Sequence, residues 1–465
     1  MPINSFLYPA PSTPNFRYDV ANSCRFNDDD SAYMHKTPGG AGNRRTFTFS
    51  AWIKRGNLGA EMGIFTAGAD ANSGQFFTIM FTDGDALNVQ FYEGGFQDLT
   101  TNRVFRDVSA WYNIIVAVDT TQGTEANRIK IYVNGTQESS FASSDYPSQN
   151  WDSAVNNTEI QQIGVRRNGS GALAGYYDGY IAEAVLVDGT QQANTDIGEF
   201  DSDSPTIWKP IDVSGLTFGT NGFYLDYEDS GNLGNDVNGG TDLTEVNLSA
   251  TDQSTDTCTN NFATLNPLVK APSSITFSEG NLKAVHPGSW TGVPATIGVQ
   301  SGKWYWECKV TTGNSANAFT GICIEDVNFN DSTVYDETGL ILYFVDGRKT
   351  VDGTDTESFF SSLATNDIVG VALDLDSGTK TVTFTKNGSA SGSAVNLTSN
   401  FDNKFIFPVG IGNSSSATAN WEFNFGNPTF SISSGNADGN GYGNFEYSVP
   451  SGYYSINTKN LAEFG

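Results

Sequence analysis

The chain has 465 residues, a length that corresponds to roughly two to four domains. It carries 24 Lys and Arg residues against 52 Asp and Glu residues, so its formal net charge is −28. That balance argues against nucleic acids and anionic membrane surfaces as partners, because both are bound through clustered basic side chains. Aromatic residues make up 13% of the chain and glycines number 50, which favours a folded all-β protein over a disordered one.

The cysteines and the N-terminal residues show no pattern typical of a disulfide framework, a zinc site, a secretory signal or a membrane span. The four cysteines lie far apart and include no CxxC pair, so they predict neither a disulfide framework nor a zinc site. The opening stretch MPINSFLYPAPSTPNF has no basic segment followed by an apolar one, and no apolar run is long enough to span a bilayer. We therefore expect synthesis in the cytoplasm without a secretory signal, and no membrane insertion.

The first half of the chain divides into an N-terminal arm and lead-in, 1–45, and a first sandwich, 46–200. Four prolines in the first 14 residues disfavour a central strand or a helix interior in the lead-in. Strand-like patterns, separated by Gly, Asn and Asp, then predict an antiparallel sandwich over 46–55, 75–81, 86–94, 111–120, 128–136, 160–167 and 176–189. Asn134-Gly135 and Asp188-Gly189 are typical of short hairpin turns. A single short helical turn is expected near 192–200.

The second half begins with a β-rich connector, 201–271, in which NGFYLDYED alternates. A second sandwich follows over 272–430, and Asn387-Gly388 predicts one of its hairpin turns. Its strand-like segments are 274–280, 302–310, 319–327, 339–347, 367–378, 379–389, 404–412 and 419–428. The C-terminal extension, 431–465, is rich in Gly, Asn and aromatic residues, which indicates a tail packed on a neighbouring molecule or an assembly contact.

Two domain families resemble these units. FTFSAWIKRG, WYNIIVAVDT, RIKIYVNGTQ and YYDGYIAEAVLVDG resemble a laminin-G-like, concanavalin-A-like jelly roll, a resemblance that makes Trp52 a core residue of an inward-facing strand. GKWYWECKV, FTGICIEDV, DIVGVALDLDSGTKTVTFTKNG and FPVGIGNSSSATANWEFNFGNP resemble a SPRY domain. The fold class expected is all-β, with two tandem antiparallel jelly-roll β-sandwiches.

The tandem arrangement also resembles tail fibre or virion-surface proteins of bacteriophages, marine ones especially. The phrases SCRFNDDDSAYMHKTP, NGFYLDYEDSGNLGND and DTCTNNFATLNPL carry that likeness. It implies synthesis in the host cytoplasm, a final place on the virion surface, and other virion proteins as partners. An acidic surface with few lysines, soluble at high ionic strength, agrees with it.

Acidic residues in turns raise the question of calcium, which prefers several oxygen ligands from loops. The two candidate groups are Asp28, Asp29 and Asp30, and Asp83 with Asp85 around Gly84. The simpler interpretation is that these side chains form turns by Asx hydrogen bonding. No cofactor is required for the expected fold, and calcium is the single candidate.

Aromatic side chains on loops are the candidates for ligand binding, because rings stack on sugar faces while nearby amides read hydroxyl groups. Those predicted to lie on loops of the two sandwiches are Tyr92, Phe96, Trp151, Tyr177, Trp290, Tyr335 and Phe359. Tyr177 has a second interpretation, packing beneath its hairpin. Strand aromatics such as Trp52, Trp304, Trp306 and Trp421 are expected in the core.

Catalytic residues are not predicted. A glycosidase of this fold needs two carboxylates flanking the scissile bond, and Glu183, Glu307 and Glu422 each stand alone in their strands. His35 and His286 have no G-x-S-x-G partner for a serine triad.

The sequence therefore predicts a non-enzymatic virion-surface protein, most simply a tail fibre or appendage that recognises a host-surface glycan or protein. Weak contacts become useful when many copies act together, so a homo-oligomer, a trimer by preference, is expected. The alternatives are a capsid decoration or cementing protein and, less favoured, a polysaccharide depolymerase.

Overall fold

The computed structural model describes residues 18–70, 75–168, 170–269, 275–312, 318–330, 333–413 and 420–465. Within these residues the chain is built almost entirely of antiparallel strands, which confirms the predicted all-β class. The N-terminal arm up to residue 17 lies outside the described residues.

The strands of the first half, numbered in chain order, are β1 (Ser23–Phe26), β2 (Tyr33–Lys36), β3 (Thr46–Arg55), β4 (Met62–Asp70), β5 (Gln75–Phe81), β6 (Ala86–Tyr92), β7 (Phe96–Val104), β8 (Trp111–Asp119), β9 (Ile129–Val133), β10 (Thr136–Gln137), β11 (Phe141–Ser144), β12 (Gln161–Ile163), β13 (Val165–Arg167), β14 (Leu173–Tyr176), β15 (Gly179–Asp188), β16 (Gly198–Phe200), β17 (Trp208–Pro210), β18 (Phe223–Leu225), β19 (Thr244–Val246) and β20 (Gln253–Ser254). Sheet I has the order β10-β9-β8-β3-β15-β1-β20, with β18 also paired to β15. Sheet II has the order β11-β7-β6-β5-β4-β12-β2-β19, and the pairs β13-β14 and β16-β17 stand apart.

The strands of the second half are β21 (Thr276–Ser278), β22 (Lys283–Val285), β23 (Thr291–Pro294), β24 (Lys303–Thr312), β25 (Ala318–Ile324), β26 (Leu340–Phe344), β27 (Lys349–Val351), β28 (Thr354–Thr356), β29 (Ile368–Asp374), β30 (Thr381–Lys386), β31 (Ser389–Ala390), β32 (Val395–Asn396), β33 (Ile406–Gly412), β34 (Asn420–Asn424) and β35 (Tyr454–Ser455). Sheet III has the order β21-β22-β34-β24-β29-β30-β31, with β32 on β30 and β35 parallel to β24. Sheet IV has the order β23-β33-β25-β26-β27-β28.

Short 3₁₀ turns and one α-helix complete the described structure. The 3₁₀ turns are Glu125–Asn127, Asn194–Asp196, Ala250–Asp252, Val334–Asp336 and Ser399–Phe401, and the helix is α1 (Thr458–Phe464). The turn at Asn194–Asp196 falls where the sequence predicted one. Helix α1 was not predicted; Asn457 caps it by accepting a hydrogen bond from the Asn460 backbone amide.

Two of the three predicted hairpin turns form, and one does not. Asn134-Gly135 and Asn387-Gly388 have positive φ at both positions, as the predicted tight turns require. Asp188-Gly189 was wrongly predicted to be such a turn. Only Gly189 has a positive φ there, and the Asp188 carboxylate accepts hydrogen bonds from the backbone amides of Asn43 and Asn221. Asp188 therefore ties the lead-in and the connector to the end of β15.

Both expected linkers contribute strands to the first sandwich. From the lead-in, β1 pairs with β15 in sheet I and β2 pairs with β12 in sheet II. From the connector, β18, β19 and β20 pair with β15, β2 and β1. The four prolines in the first 14 residues all precede these strands. They therefore argue against a strand only at the beginning of the lead-in.

Strand β3 is buried on both faces, so Trp52 is a buried residue as predicted, but it packs on the face of sheet I opposite to the one expected. Phe47 and Phe49 point into the core between sheets I and II. Trp52 points to the opposite face of sheet I, where it packs with Trp111 and with Trp208 from the connector. In the second sandwich Trp304, Trp306 and Trp421 lie in the core as predicted, each with no exposed surface.

The C-terminal extension packs on sheet III of its own chain. Strand β35 pairs with β24, and the ring of Phe445 meets Tyr305 at 5.2 Å between centroids. The buried Glu307 carboxylate accepts hydrogen bonds from the backbone amides of Glu446 at 3.0 Å and Tyr447 at 2.8 Å. The extension therefore forms a third layer over sheet III.

Replacing Glu307 with Ala should release this layer. Two partly buried backbone N–H groups would lose their acceptor, and a buried one costs about 1–3 kcal/mol when left unsatisfied. We expect urea denaturation to show a loss of at least 2 kcal/mol, with faster proteolysis after residue 430. Glu307→Gln, which keeps a carbonyl acceptor, is the matched control and should lose less; equal losses in both variants would contradict this role.

Candidate functional site

A cleft of about 990 Å³ lies on the outer face of sheet I. Its floor is formed by Trp52, Trp111 and Trp208. Its opposite wall comes from the C-terminal extension, with Tyr442 and helix α1. The cleft therefore exists because the connector and the extension both fold back over the first sandwich.

Hydrogen bonds and close packing fix the floor. The Trp208 indole N–H donates to Asn113 Oδ1 at 3.0 Å, and the Trp111 indole N–H donates to Asp256 Oδ1 at 3.0 Å. Gly135 and Gly198 lie directly against the Trp208 ring: a Cβ on either would come within 2.5 Å of a ring atom. These glycines are required for the close approach of the indole.

Polar groups surround the aromatic floor. Lys459 pairs with Asp19 at 2.9 Å and lies 5.5 Å from the centre of the Tyr442 ring. Asn134 and Glu463 also line the cleft. Apolar ring edges beside amide, carboxylate and ammonium groups suit a ligand with both apolar faces and hydroxyl groups. The sequence did not predict this site, because nothing in it shows that Trp111 and Trp208 share a cleft.

Of the four aromatic residues predicted to contact a ligand in the first sandwich, two lie together. Phe96, 49% exposed, meets Tyr92 edge-on at 5.6 Å across the β6–β7 hairpin. Trp151 packs on the core against Phe91 at 5.1 Å. Tyr177 is completely buried and donates to the Lys54 carbonyl at 3.2 Å, so it is a packing residue and not a ligand contact.

In the second sandwich, two of the three predicted rings meet. Trp290 and Tyr335 lie 4.4 Å apart between centroids, and Phe319 stacks beneath Tyr335. Phe359 forms a different contact: the Lys349 ammonium lies 3.8 Å from its ring centre. Trp290 and Tyr335 are both partly buried, so part of this ring pair reaches the surface.

The acidic side chains of the two predicted calcium groups have different surroundings in the structure. No three Asp, Glu, His or Cys side chains of the described residues are arranged to hold a metal ion. Asp85 pairs with Arg55 at 3.0 Å and with Arg106 at 2.8 Å, so its negative charge is already neutralised. Asp83 is exposed. Asp30 accepts a hydrogen bond from Asn27, while Asp28 accepts one from Asn57.

Glu183 has the most unusual environment among the acidic residues. It lies at a bulge in β15 with φ +51°, and it accepts hydrogen bonds from the phenols of Tyr224 at 2.7 Å and Tyr18 at 3.3 Å. Burial raises the pKa of Glu183 to about 8. The enclosed space beside it is about 10 Å³, which admits no sugar ring.

His286, one of the two histidines considered for a serine triad, is also enclosed. Its Nδ1 lies 2.8 Å from the Thr291 hydroxyl, and burial lowers the pKa of His286 to about 4. Neither Glu183 nor His286 is open to a substrate.

Two domain families match the chain. Residues 28–194 match the concanavalin A-like lectin/glucanases superfamily, and residues 303–428 match the SPRY domain family. The chain thus carries a concanavalin A-like domain followed by a SPRY domain, which confirms both sequence resemblances. Lectin-like and SPRY domains are binding domains, so they indicate binding of a carbohydrate or a protein and are compatible with a non-enzymatic role.

Individual relatives cover only parts of the chain. Over 180 residues it is 27% identical to the ATP-dependent RNA helicase Ddx1 of Drosophila melanogaster, which is 34% of this chain and 22% of the helicase. The SPRY domain of human HERC1 is 20% identical, with 34% of this chain and 96% of that domain covered and a TM-score of 0.29. A putative carbohydrate binding protein from Bacteroides ovatus is 16% identical, with 49% and 58% covered and a TM-score of 0.35.

The helical content adds one observation. Among the described residues no helix is long and apolar enough to cross a membrane.

The raised pKa of Glu183 predicts a pH-dependent stability that Glu183→Gln should remove. The folded state holds this proton more tightly than the unfolded chain, whose carboxyl has the ordinary value of 4.5. The stabilisation is therefore complete below pH 4.5 and is lost as the pH rises to about 8. Between these limits wild type should lose roughly 4 kcal/mol more than the variant in urea denaturation.

Glu422→Gln, at a partly exposed position of β34, is the control for a generic loss of charge. Parallel pH profiles of wild type and Glu183→Gln would contradict the assignment.

Proposed function

We propose that this chain is a non-enzymatic recognition protein of a bacteriophage particle, and that it binds a host-surface glycan in the tryptophan-floored cleft. The cleft itself is the observation that carries the proposal. It is a concave surface of about 990 Å³, and Trp52, Trp111 and Trp208 line it together. Binding sites of small ligands are typically concave, with few polar groups at fixed positions.

The chemistry of the cleft favours a glycan over a strongly charged ligand. Its charged groups include both signs, and Lys459 and Asp19 already pair with each other. Amide groups such as Asn134 can both donate to and accept from sugar hydroxyls. Ile207, 37% exposed, extends the apolar surface at the edge of the cleft.

The place on a virion is supported by the sequence phrases that resemble phage surface proteins, and a homo-oligomer by the need for avidity. Many weak sites presented together bind far more strongly than one. Attachment to other virion proteins falls to surfaces other than the C-terminal extension, which is occupied within its own chain. That occupation weighs against the alternative of a capsid-cementing tail.

A second surface favours a protein ligand. Trp290 and Tyr335 form a partly buried ring pair. Arg348 and Asp355 lie near it, and their charges are among those that affect the pKa of the Tyr335 phenol. Tryptophan, tyrosine and arginine are the residues most often central to protein interfaces. The SPRY domain would then recognise a host protein while the cleft recognises a glycan.

Ile207→Trp tests the glycan site by filling the edge of the cleft without removing a structural contact. On an array of bacterial surface glycans the wild-type chain should bind a defined subset, and the variant should bind it at least about tenfold more weakly, equivalent to about 1.4 kcal/mol. Val104→Trp, a similarly exposed position at the end of β7 outside the cleft lining, is the matched control. Equal losses in both variants, or no glycan bound by wild type, would refute the site.

Antibody labelling of intact phage particles tests the virion assignment. A tail fibre should give a few labels at the tail, whereas a decoration protein would give labels over the whole head. The absence of label from purified particles would refute a virion role while leaving the glycan site to be judged by its own experiment.

A further inference from the structure

The side chain of Lys54, in β3, is buried with three oxygen atoms around its amino group. Lys54 Nζ lies 2.7 Å from Asp256 Oδ2, 2.8 Å from Asn261 Oδ1 and 3.1 Å from the Phe262 carbonyl oxygen. Lys54 is 1% exposed and Asp256 is 0% exposed. A primary amine, a carboxylate and a carboxamide therefore meet at one buried nitrogen atom.

The side chain of Asn261 is held with its carbonyl oxygen toward Lys54. Its amide nitrogen donates to the Ser109 carbonyl at 2.7 Å. Its backbone exchanges hydrogen bonds with Thr458 of α1, at 3.0 Å and 2.9 Å. Since a C=O bond is about 1.23 Å long, the amide carbon of Asn261 lies within about 4.0 Å of Lys54 Nζ. The amine is thus close to an acyl carbon that carries a leaving group, and it is held there before any reaction.

The Asp256 carboxylate is placed to take a proton from the lysine. Its second oxygen, Oδ1, accepts hydrogen bonds from the Trp111 indole at 3.0 Å and from the Phe262 backbone amide at 3.3 Å. Burial raises the pKa of Asp256, although the Lys54 ammonium lowers it. Separate charges are costly in a buried site, and moving one proton from Lys54 to Asp256 removes both of them. A neutral amine remains, and this is the form of lysine that acts as a nucleophile.

We propose that Lys54 and Asn261 form an intramolecular isopeptide bond, with Asp256 as the proton carrier. The Lys54 nitrogen attacks Cγ of Asn261 with its lone pair, and the C=O π electrons move to Oδ1. Asp256 gives its proton to Nδ2, the C–N bond breaks with its electron pair on Nδ2, and ammonia leaves as the C=O bond re-forms. The new amide nitrogen then gives one proton back to Asp256. No other reactant is consumed, and the site ends with an amide, a carboxylic acid and no net charge.

The bond joins β3 of the first sandwich to the connector at the point where the chain enters the second sandwich. Ala263, two residues after Asn261, already packs in the core of the second sandwich. The linked positions are 207 residues apart in the sequence. A covalent link restricts the unfolded chain, and the restriction grows with the length of the closed loop. All four cysteines are free thiols, so no disulfide supplies such a link. The bond is independent of glycan binding.

The test is the intact mass of the full chain, measured after denaturation. Chain purified in the folded state should be lighter than its sequence requires by one ammonia molecule. Chain taken from inclusion bodies in denaturant should have the full mass and should lose ammonia on refolding, because the three groups meet only in the folded state. Tandem mass spectrometry of a protease digest should then recover one branched peptide that joins Lys54 to Asn261.

Three variants and one control assign the roles. Lys54→Met, Asn261→Ala and Asp256→Ala should each keep the full mass. Asn22→Ala removes another partly buried amide of the first sandwich, one that donates to a backbone carbonyl at 3.4 Å, and should still lose ammonia. Circular dichroism shows which variants have folded, and the mass of folded wild type decides the proposal even if none of the three folds.

The outcomes that overturn the proposal are distinct. A folded wild-type chain of full mass is one of them. A loss of water in place of ammonia is another, because the link would then be to Asp256. An Asn-Gly pair such as Asn134-Gly135 loses the same mass when it closes to a succinimide, so an ammonia loss that maps to such a pair also overturns it. Undiminished bond formation in folded Asp256→Ala would overturn the role given to Asp256.

Discussion

Burial of both faces of the central strands is the constraint on which the structure depends. In sheet I, β15 is buried along its entire length and β3 along nearly all of it. One face packs against sheet II, but the other carries Trp52, Trp111 and Tyr180, which water would not stabilise. A third layer is therefore required, and the connector supplies it with Trp208, which packs in the same cluster as Ile197. Sheet III is covered in the same way by the C-terminal extension.

The third layer also determines how the two sandwiches meet. Lys54 is buried beneath the connector, where its ammonium reaches Asp256 at 2.7 Å and the Phe262 carbonyl at 3.1 Å. Thr458 and Asn261 exchange hydrogen bonds between the extension and the connector. Because the extension crosses from the second sandwich to the first, covering the apolar faces also forms the cleft. The proposed glycan site is thus a consequence of the need to cover the apolar outer face of sheet I. The aromatic rings that line the site would otherwise face solvent.

Two large pKa shifts in this protein occur at buried groups and not at groups that a substrate could reach. Glu183 and His286 are both shifted by desolvation and are both enclosed by their neighbours. Catalytic acids need the same desolvation but must also face a cavity large enough for the substrate. The large cleft, in contrast, is lined mainly by aromatic, amide and hydroxyl groups. Neither Glu183 nor His286 lines this cleft, which fits a protein that binds its ligand.

The sequence by itself determined the strands, because alternation and β-branched or aromatic enrichment are local properties. Thr46–Arg55 and Gln75–Phe81 form strands with the predicted limits, and the Asn-Gly turns follow from the backbone freedom of those two residues. It also determined the two domain families through their strand motifs. Only the tertiary structure decided that Trp52 packs on the outer face of sheet I beneath the connector, that Tyr177 is buried, and that Trp111 and Trp208 share a cleft. The physical reason is that a strand buried on both faces has no polar side in its sequence, so the pattern cannot tell which face meets the core and which meets segments far along the chain.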